Sequence, residues 1–168
     1  MSSWSLKMVA PLEPGIVCRD IGPMLEFYGG VLGFETISDA EATPQMSSEF
    51  KAAPQGYRIV RMQTPYGERI KLVQTTLPNT SHEVSPWTFG QCGLAYLTFI
   101  VADVHEVAAR LRQRGVHFIN DQPMEVRTGF EALFVTDPEN NYLEFVQYAD
   151  LASYRPDLLH KALSKEVR

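Results

Sequence analysis

The chain repeats itself. "GERIKLVQ" (67–74) returns as "NNYLEFVQ" (140–147), and "IVCRDIGPMLEFYGGVLGF" (16–34) shares its plan with "FIVADVHEVAARLRQRGVHF" (99–118). A repeat of this period means that each copy is one supersecondary unit, so the repeat limits the fold before any single residue does. The copies differ at one charged position, where Lys71 of the first faces Glu144 of the second. The second pair of segments reads as a short β-branched strand, an Asp, a helix, and then a Gly. Asp20 and Asp103 stand where a side-chain oxygen caps a first helical turn. Met24, Leu25, Phe27, Tyr28, Val31 and Leu32 follow the first at helical spacing, as Val104, Val107, Ala108 and Leu111 follow the second. Gly33 and Gly115 stand where a chain leaving a helix takes positive φ. Arg110, Arg112 and Arg114 suit the negative end of the second helix dipole and read as a solvated face.

Strands are expected after each helix: "FETIS", "YRIVRMQTP" and "ERIKLVQT" in the first half, then "FIND" or "MEVR", "EALFVTDP" and "NYLEFVQY" in the second. Each half is thus β-α-β-β-β, over residues 12–76 and 94–148, with a linker at 77–93 and a tail at 149–168. Residues 39–56 read as a long polar loop with a helical turn at "MSSEFKA". The tail reads as an amphipathic helix opening at Pro156, with Leu158, Leu159, Ala162 and Leu163 on one face.

Composition removes several classes of function. A net charge of −5 over 168 residues, without a basic run, argues against nucleic acid as a partner. No window approaches the ~18 consecutive apolar residues that a bilayer span needs, so no membrane is expected. The N-terminal stretch has no apolar core behind a basic head, and Cys18 and Cys92 form no C-x-x-C pair. The expectation is a cytoplasmic protein with reduced thiols, Cys18 being a small buried one.

With "D-x6-FY-x3-LGF" in the first helix and "DP-x2-N" before a Glu-bearing last strand, residues 12–148 resemble the vicinal oxygen chelate superfamily. That group holds glyoxalase I, bleomycin- and fosfomycin-resistance proteins, methylmalonyl-CoA epimerase and extradiol dioxygenases. The resemblance implies an α+β fold of tandem βαβββ modules forming a cupped mixed sheet, and a homodimer that binds a small molecule. It also implies one functional position on the first strand and one on the last strand of each module, here Glu13, Lys71, Tyr96 and Glu144. Relatives that bind a metal carry histidines and carboxylates at these positions. In this chain Glu13 and Glu144 are the two available carboxylates, so a divalent metal is disfavoured on ligand chemistry and the cofactor stays open.

Strand alternation places Glu13 and Val17 on one face, Lys71 with Arg69, Tyr96 with Thr98, and Glu144 with Tyr142. Arg69, Thr98, Tyr142 and Val17 are therefore the expected substrate-binding residues. A carboxylate pair in a cavity favours an ammonium counter-ion, so Lys71 takes the place of a metal. Three readings follow. The first is an isomerase, epimerase or lyase that moves a proton next to a carbonyl, with Glu144 or Glu13 as base and Lys71, with Tyr96, stabilising the enolate oxygen. The second is a non-catalytic drug- or natural-product-binding protein that uses Tyr57, Tyr66, Trp87, Phe89 and Tyr142. The third is a metal-dependent glyoxalase-type lyase. It is weakened because Val17 stands where that branch usually carries a glutathione-gripping Arg. Beside all three stands a plain ion pair between Lys71 and Glu144, with Tyr96 as a core aromatic.

Overall fold

The computed structural model describes residues 6–78, 87–90 and 92–158. The chain divides into two compact units, Met1–Glu83 and Val84–Arg168. In the first, β1 (Gly15–Cys18) leads into α1 (Ile21–Leu25), which continues as a π-helical segment, Glu26–Val31. β2 (Glu35–Ala42), α2 (Pro44–Glu49), β3 (Tyr57–Gln63) and β4 (Arg69–Thr75) follow. The sheet order is β1-β4-β3-β2, with β1 parallel to β4 and the other pairs antiparallel. The second unit runs β5 (Tyr96–Ile100), α3 (Val104–Gln113), β6 (His117–Phe118), β7 (Met124–Arg127), β8 (Phe130–Thr136), β9 (Tyr142–Tyr148) and α4 (Leu151–Tyr154). Its order is β5-β9-β8-β6, with β7 also paired to β8. The protein is therefore an α+β fold with two mixed sheets.

Both helix entries have the same origin. Asp20 accepts from the Gly22 amide at 3.0 Å, and Asp103 accepts from the amides of His105 and Glu106 at 2.9 Å each. Gln74 and Gln147, equivalent in the repeat, finish the job from the last strand: Gln74 Oε1 accepts from the Ile21 amide at 3.3 Å and Gln147 Oε1 from the Val104 amide at 2.9 Å. These amides are among those that a helix start leaves without an intrahelical partner. Gly33 and Gly115 leave the helices at φ +77° and +70°, a region costly for residues with a Cβ.

Each sheet buries one face under its helix. In the first unit Ile16, Cys18, Val60, Met62, Ile70 and Leu72 pack there with Met24 and Tyr28, all at most 9% exposed. In the second, Leu133, Val135, Leu143 and Phe145 are buried with Val104, Ala108 and Leu111. Full burial of each such side chain contributes about 1.5–3 kcal/mol, so each layer stabilises its own unit.

Several sequence expectations need correction. Residues 39–56 are not one loop: β2 runs to Ala42, and Thr43 accepts from the Met46 amide at 3.3 Å to cap α2, with Pro44 in its first turn. The buried Ser47 hydroxyl then binds both the carbonyl and the amide of Ala53, at 2.6 and 3.0 Å, and fixes the return. Of "FIND" only Phe118 is in a strand, β6, whereas "MEVR" is β7; both strands pair with β8 and give the second unit five strands. Glu13 lies two residues before β1 rather than on it. Of the tail helix, residues 156–158 are helical. Leu159, Ala162 and Leu163 lie outside the described residues.

Candidate functional site

In each unit the candidate residues lie on the sheet face away from the helix. On the first unit, the register sets Gly15 beside Lys71, Lys71 beside Arg61, and Arg61 beside Ser38. The next row is Val17, Val73, Ile59 and Ala40. Glu13 reaches this face because the Lys71 amide donates to the Pro14 carbonyl at 2.9 Å, which extends the β1–β4 pairing back past Gly15. One Glu13 oxygen lies 3.4 Å from Lys71 Nζ, and the other lies 3.9 Å from Arg69 Nη1. Arg69 also donates through Nε to Gln63 Oε1 at 2.7 Å, and Arg61 donates to the Ser38 hydroxyl at 3.3 Å. Arg58 belongs to the opposite face, where Asp39 takes its guanidinium at 2.9 and 2.6 Å. That bond to Arg58 holds the Asp39 carboxyl below its ordinary range, against a smaller opposing effect of burial.

The second unit presents a different face away from its helix, on which Val146, Ala132 and Thr136 are buried. Tyr96, Thr98 and Ile100 on β5 align with Tyr142, Glu144 and Val146 on β9. Those three in turn align with Thr136, Phe134 and Ala132 on β8. Glu144, half-buried, accepts from the Thr98 hydroxyl at 2.7 Å through Oε2. Among the described residues this is the one side-chain hydrogen bond it makes, and no ion pair reaches it. Aromatic rings surround it on the sheet: Tyr96 packs against Phe134 and Phe89, with centroids 5.6 and 5.7 Å apart. At the end of β9, Tyr148 stacks on Tyr154 of α4 at 4.0 Å and meets Phe130 at a tilt, with centroids 4.8 Å apart. Burial first, then the hydrogen bond and charge of Tyr154 with the charge of Glu144, push the Tyr148 phenol up to about 12; Arg127 opposes them weakly.

Glu144 is delivered by the "DPENN" turn. Asp137, 3% exposed, accepts from the Glu139 and Asn141 amides at 2.9 Å and from Asn141 Nδ2 at 2.8 Å. Asn140 takes φ +66° between them. The motif is a self-bonded Asx turn that sets the register of β9.

The structure thus brings the predicted residues together in two sets, Glu13 with Lys71 and Arg69, and Glu144 with Thr98, Tyr96 and Tyr142. Lys71 finds its carboxylate in Glu13, on its own unit. Val17 is 60% exposed on the first open face. Arg61 and Ser38 join the first set, and the alternation of "YRIVRMQ" puts Arg61 on the face opposite Arg58. These residues do not fit a divalent metal. Glu13 is engaged by two cations, an ammonium offers no lone pair, and among the described residues no three His, Cys, Asp or Glu side chains gather to hold an ion.

The profile of the Glyoxalase/Bleomycin resistance protein/Dioxygenase superfamily matches residues 8–145. The chain belongs to that superfamily. Solved structures agree on the fold. A glyoxalase family protein from Bacillus cereus superposes with TM-score 0.73 at 17% identity, over 88% of this chain and 99% of that one. A glyoxalase/bleomycin resistance/dioxygenase domain from Frankia gives 0.64 at 18%, over 86% and 93%. The trypanothione-dependent glyoxalase I of Leishmania major gives 0.60 at 19%, over 96% and 99%. No curated protein matches the chain. Among the described residues, no helix of this superfamily member is long and apolar enough to cross a membrane.

Proposed function

We propose that the protein takes a proton from the carbon next to a carbonyl in a small oxygenated compound, with Glu144 as the base, as an isomerase, epimerase or lyase. The observation that carries this reading is how Glu144 is held. One oxygen is fixed by Thr98, while the other is not engaged among the described residues, on a face lined by Tyr96, Phe134 and Tyr142. A base needs an oriented oxygen with a lone pair to spare, within hydrogen-bond reach of the substrate. Glu13 meets that need less well, because each of its oxygens has a cation beside it. Tyr96, one pair along from Thr98 and Glu144, supplies a phenol O–H for the developing enolate oxygen, where a fixed donor does most good. The role for Lys71 drawn from the sequence is separable: Lys71→Met tests it without touching Glu144.

The test is solvent-deuterium incorporation into a panel of 2-oxo acids, 2-hydroxy ketones and acyl thioesters, followed by mass spectrometry. Glu144→Gln is expected to abolish exchange while the circular dichroism spectrum is kept; exchange at the wild-type rate in that variant overturns the proposal.

A specific observation also supports the binding-only reading. Phe89, 73% exposed, continues the Tyr96–Phe134 aromatic row to the surface, a platform suited to a planar ligand. Recovery of an unmodified copurified compound, with no deuterium exchange for any panel member, selects that reading. Sedimentation velocity checks the homodimer.

A further inference from the structure

We infer that the open face of the first unit carries a seat for an oxyanion, the carboxylate or phosphate group of a small molecule, formed by Arg61, Lys71 and Arg69. This goes beyond the proton-transfer reading, which rests on Glu144 in the second unit. Arg61 and Lys71 are directly paired across adjacent strands, and Arg69 follows two residues from Lys71 on the same face. Like charges in such register repel and destabilise a sheet unless an anion lies between them. Glu13 answers only part of that charge, engaging Lys71 and Arg69. Arg61 has a neutral partner, the Ser38 hydroxyl, and among the described residues no carboxylate reaches it. Glu35 shares the face at its rim, opposite Gln63, exposed and making no ion pair among the described residues.

A second observation concerns space. On the other side of Lys71 stands Gly15, and a Cβ built there meets nothing within 4 Å. The cation row therefore borders a gap where a side chain would otherwise stand. The next row, Val17, Val73 and Ile59, is apolar. An anionic head at Arg61 and Lys71 with a short apolar body on these three residues matches both rows. The planar guanidinium fork gives Arg61 two parallel donors for two oxygens of such a head.

The experiment titrates the full chain with inorganic phosphate and, separately, with butyrate, at constant ionic strength maintained with sodium chloride, by calorimetry and thermal shift. Saturable binding of at least one is expected. Arg61→Gln should weaken it at least tenfold, and Arg58→Gln, which alters the opposite face, should leave it within twofold. Gly15→Asp supplies a second variant that removes no side chain: a carboxylate beside Lys71 should compete for the seat and abolish binding. A response to phosphate alone assigns a phosphorylated ligand, and one to butyrate alone assigns an apolar acid. No saturable binding in the wild type, equal loss in Arg58→Gln, or undiminished binding in both Arg61→Gln and Gly15→Asp overturns the inference.

Discussion

The first unit sets a carboxylate among cations, whereas the second sets one among aromatic rings with a single hydroxyl for company. The backbones beneath are alike: a parallel first and last strand, an Asp-capped helix and a glutamine returning to that helix. What differs is the side chain at one matched position, Lys71 or Glu144, and the row beside it. Arg61 and Arg69 neighbour the lysine, while Phe134 and Tyr142 neighbour the glutamate. The repeat thus preserves a scaffold while the faces away from the helices diverge, one rich in cations and the other in aromatic rings around a carboxylate. The fold is common to both halves, so what distinguishes them chemically is the side chains on these faces.

The largest effect should separate the two carboxylates. Glu144→Gln is expected to slow deuterium exchange by about 100-fold or more, the range for loss of a general base, whereas Glu13→Gln should retain most of it. Equal losses would end the distinction. Next, Ile70→Ala and Leu143→Ala occupy matched buried positions, and each should cost about 2–5 kcal/mol in urea unfolding. If the units unfold together, both variants shift one transition; if separately, each shifts its own. Gln74→Leu and Gln147→Leu should each cost about 1 kcal/mol or somewhat more. Gln147 loses its 2.9 Å bond from Val104, and Gln74 loses both its bond from Ile21 and the one it donates to the Arg19 carbonyl.

Two titrations follow. Tyr148 is raised, so the folded protein keeps that proton after the unfolded chain has lost it. Stability from this group is whole below pH ~10, the ordinary tyrosine value, and falls as pH rises through about 12. Tyr148→Phe should flatten that alkaline slope in unfolding curves and remove a tyrosinate absorbance change near pH 12. Asp39 is lowered by Arg58, so its contribution is present above the ordinary carboxylate range and fades as pH falls through the lowered value. As an exposed pair it is worth at most about 1 kcal/mol, and Asp39→Asn should barely move the urea midpoint.

Much of the scaffold could be read from the sequence because its causes are local. Asp20, Asp103, Gly33 and Gly115 act within a few residues of themselves, and alternation alone sent Ile70 and Leu72 inward. The sequence also carried "TPQMSSE", a capping Thr followed by Pro, which signals α2 more strongly than the polar composition around it suggested. Other features had no local signal. The π-helical segment rests on the Leu32 amide reaching the Phe27 carbonyl, a one-residue widening that "FYGGVL" does not announce. The side-chain pairings on the two candidate faces had no local signal either. The resemblance pointed to Glu13, yet only the coordinates show that Lys71 and Arg69 stand beside it.

The long-range glutamine bonds also bear on how the chain comes to be folded. Ile21 receives its partner from Gln74, and Val104 receives its own from Gln147, both on the final strand of their unit. During synthesis, neither helix can have its entry sealed until nearly the whole half has left the ribosome. Contacts that close so late make for slow folding, and an early stop in either half would release a fragment whose helix start is still open to water.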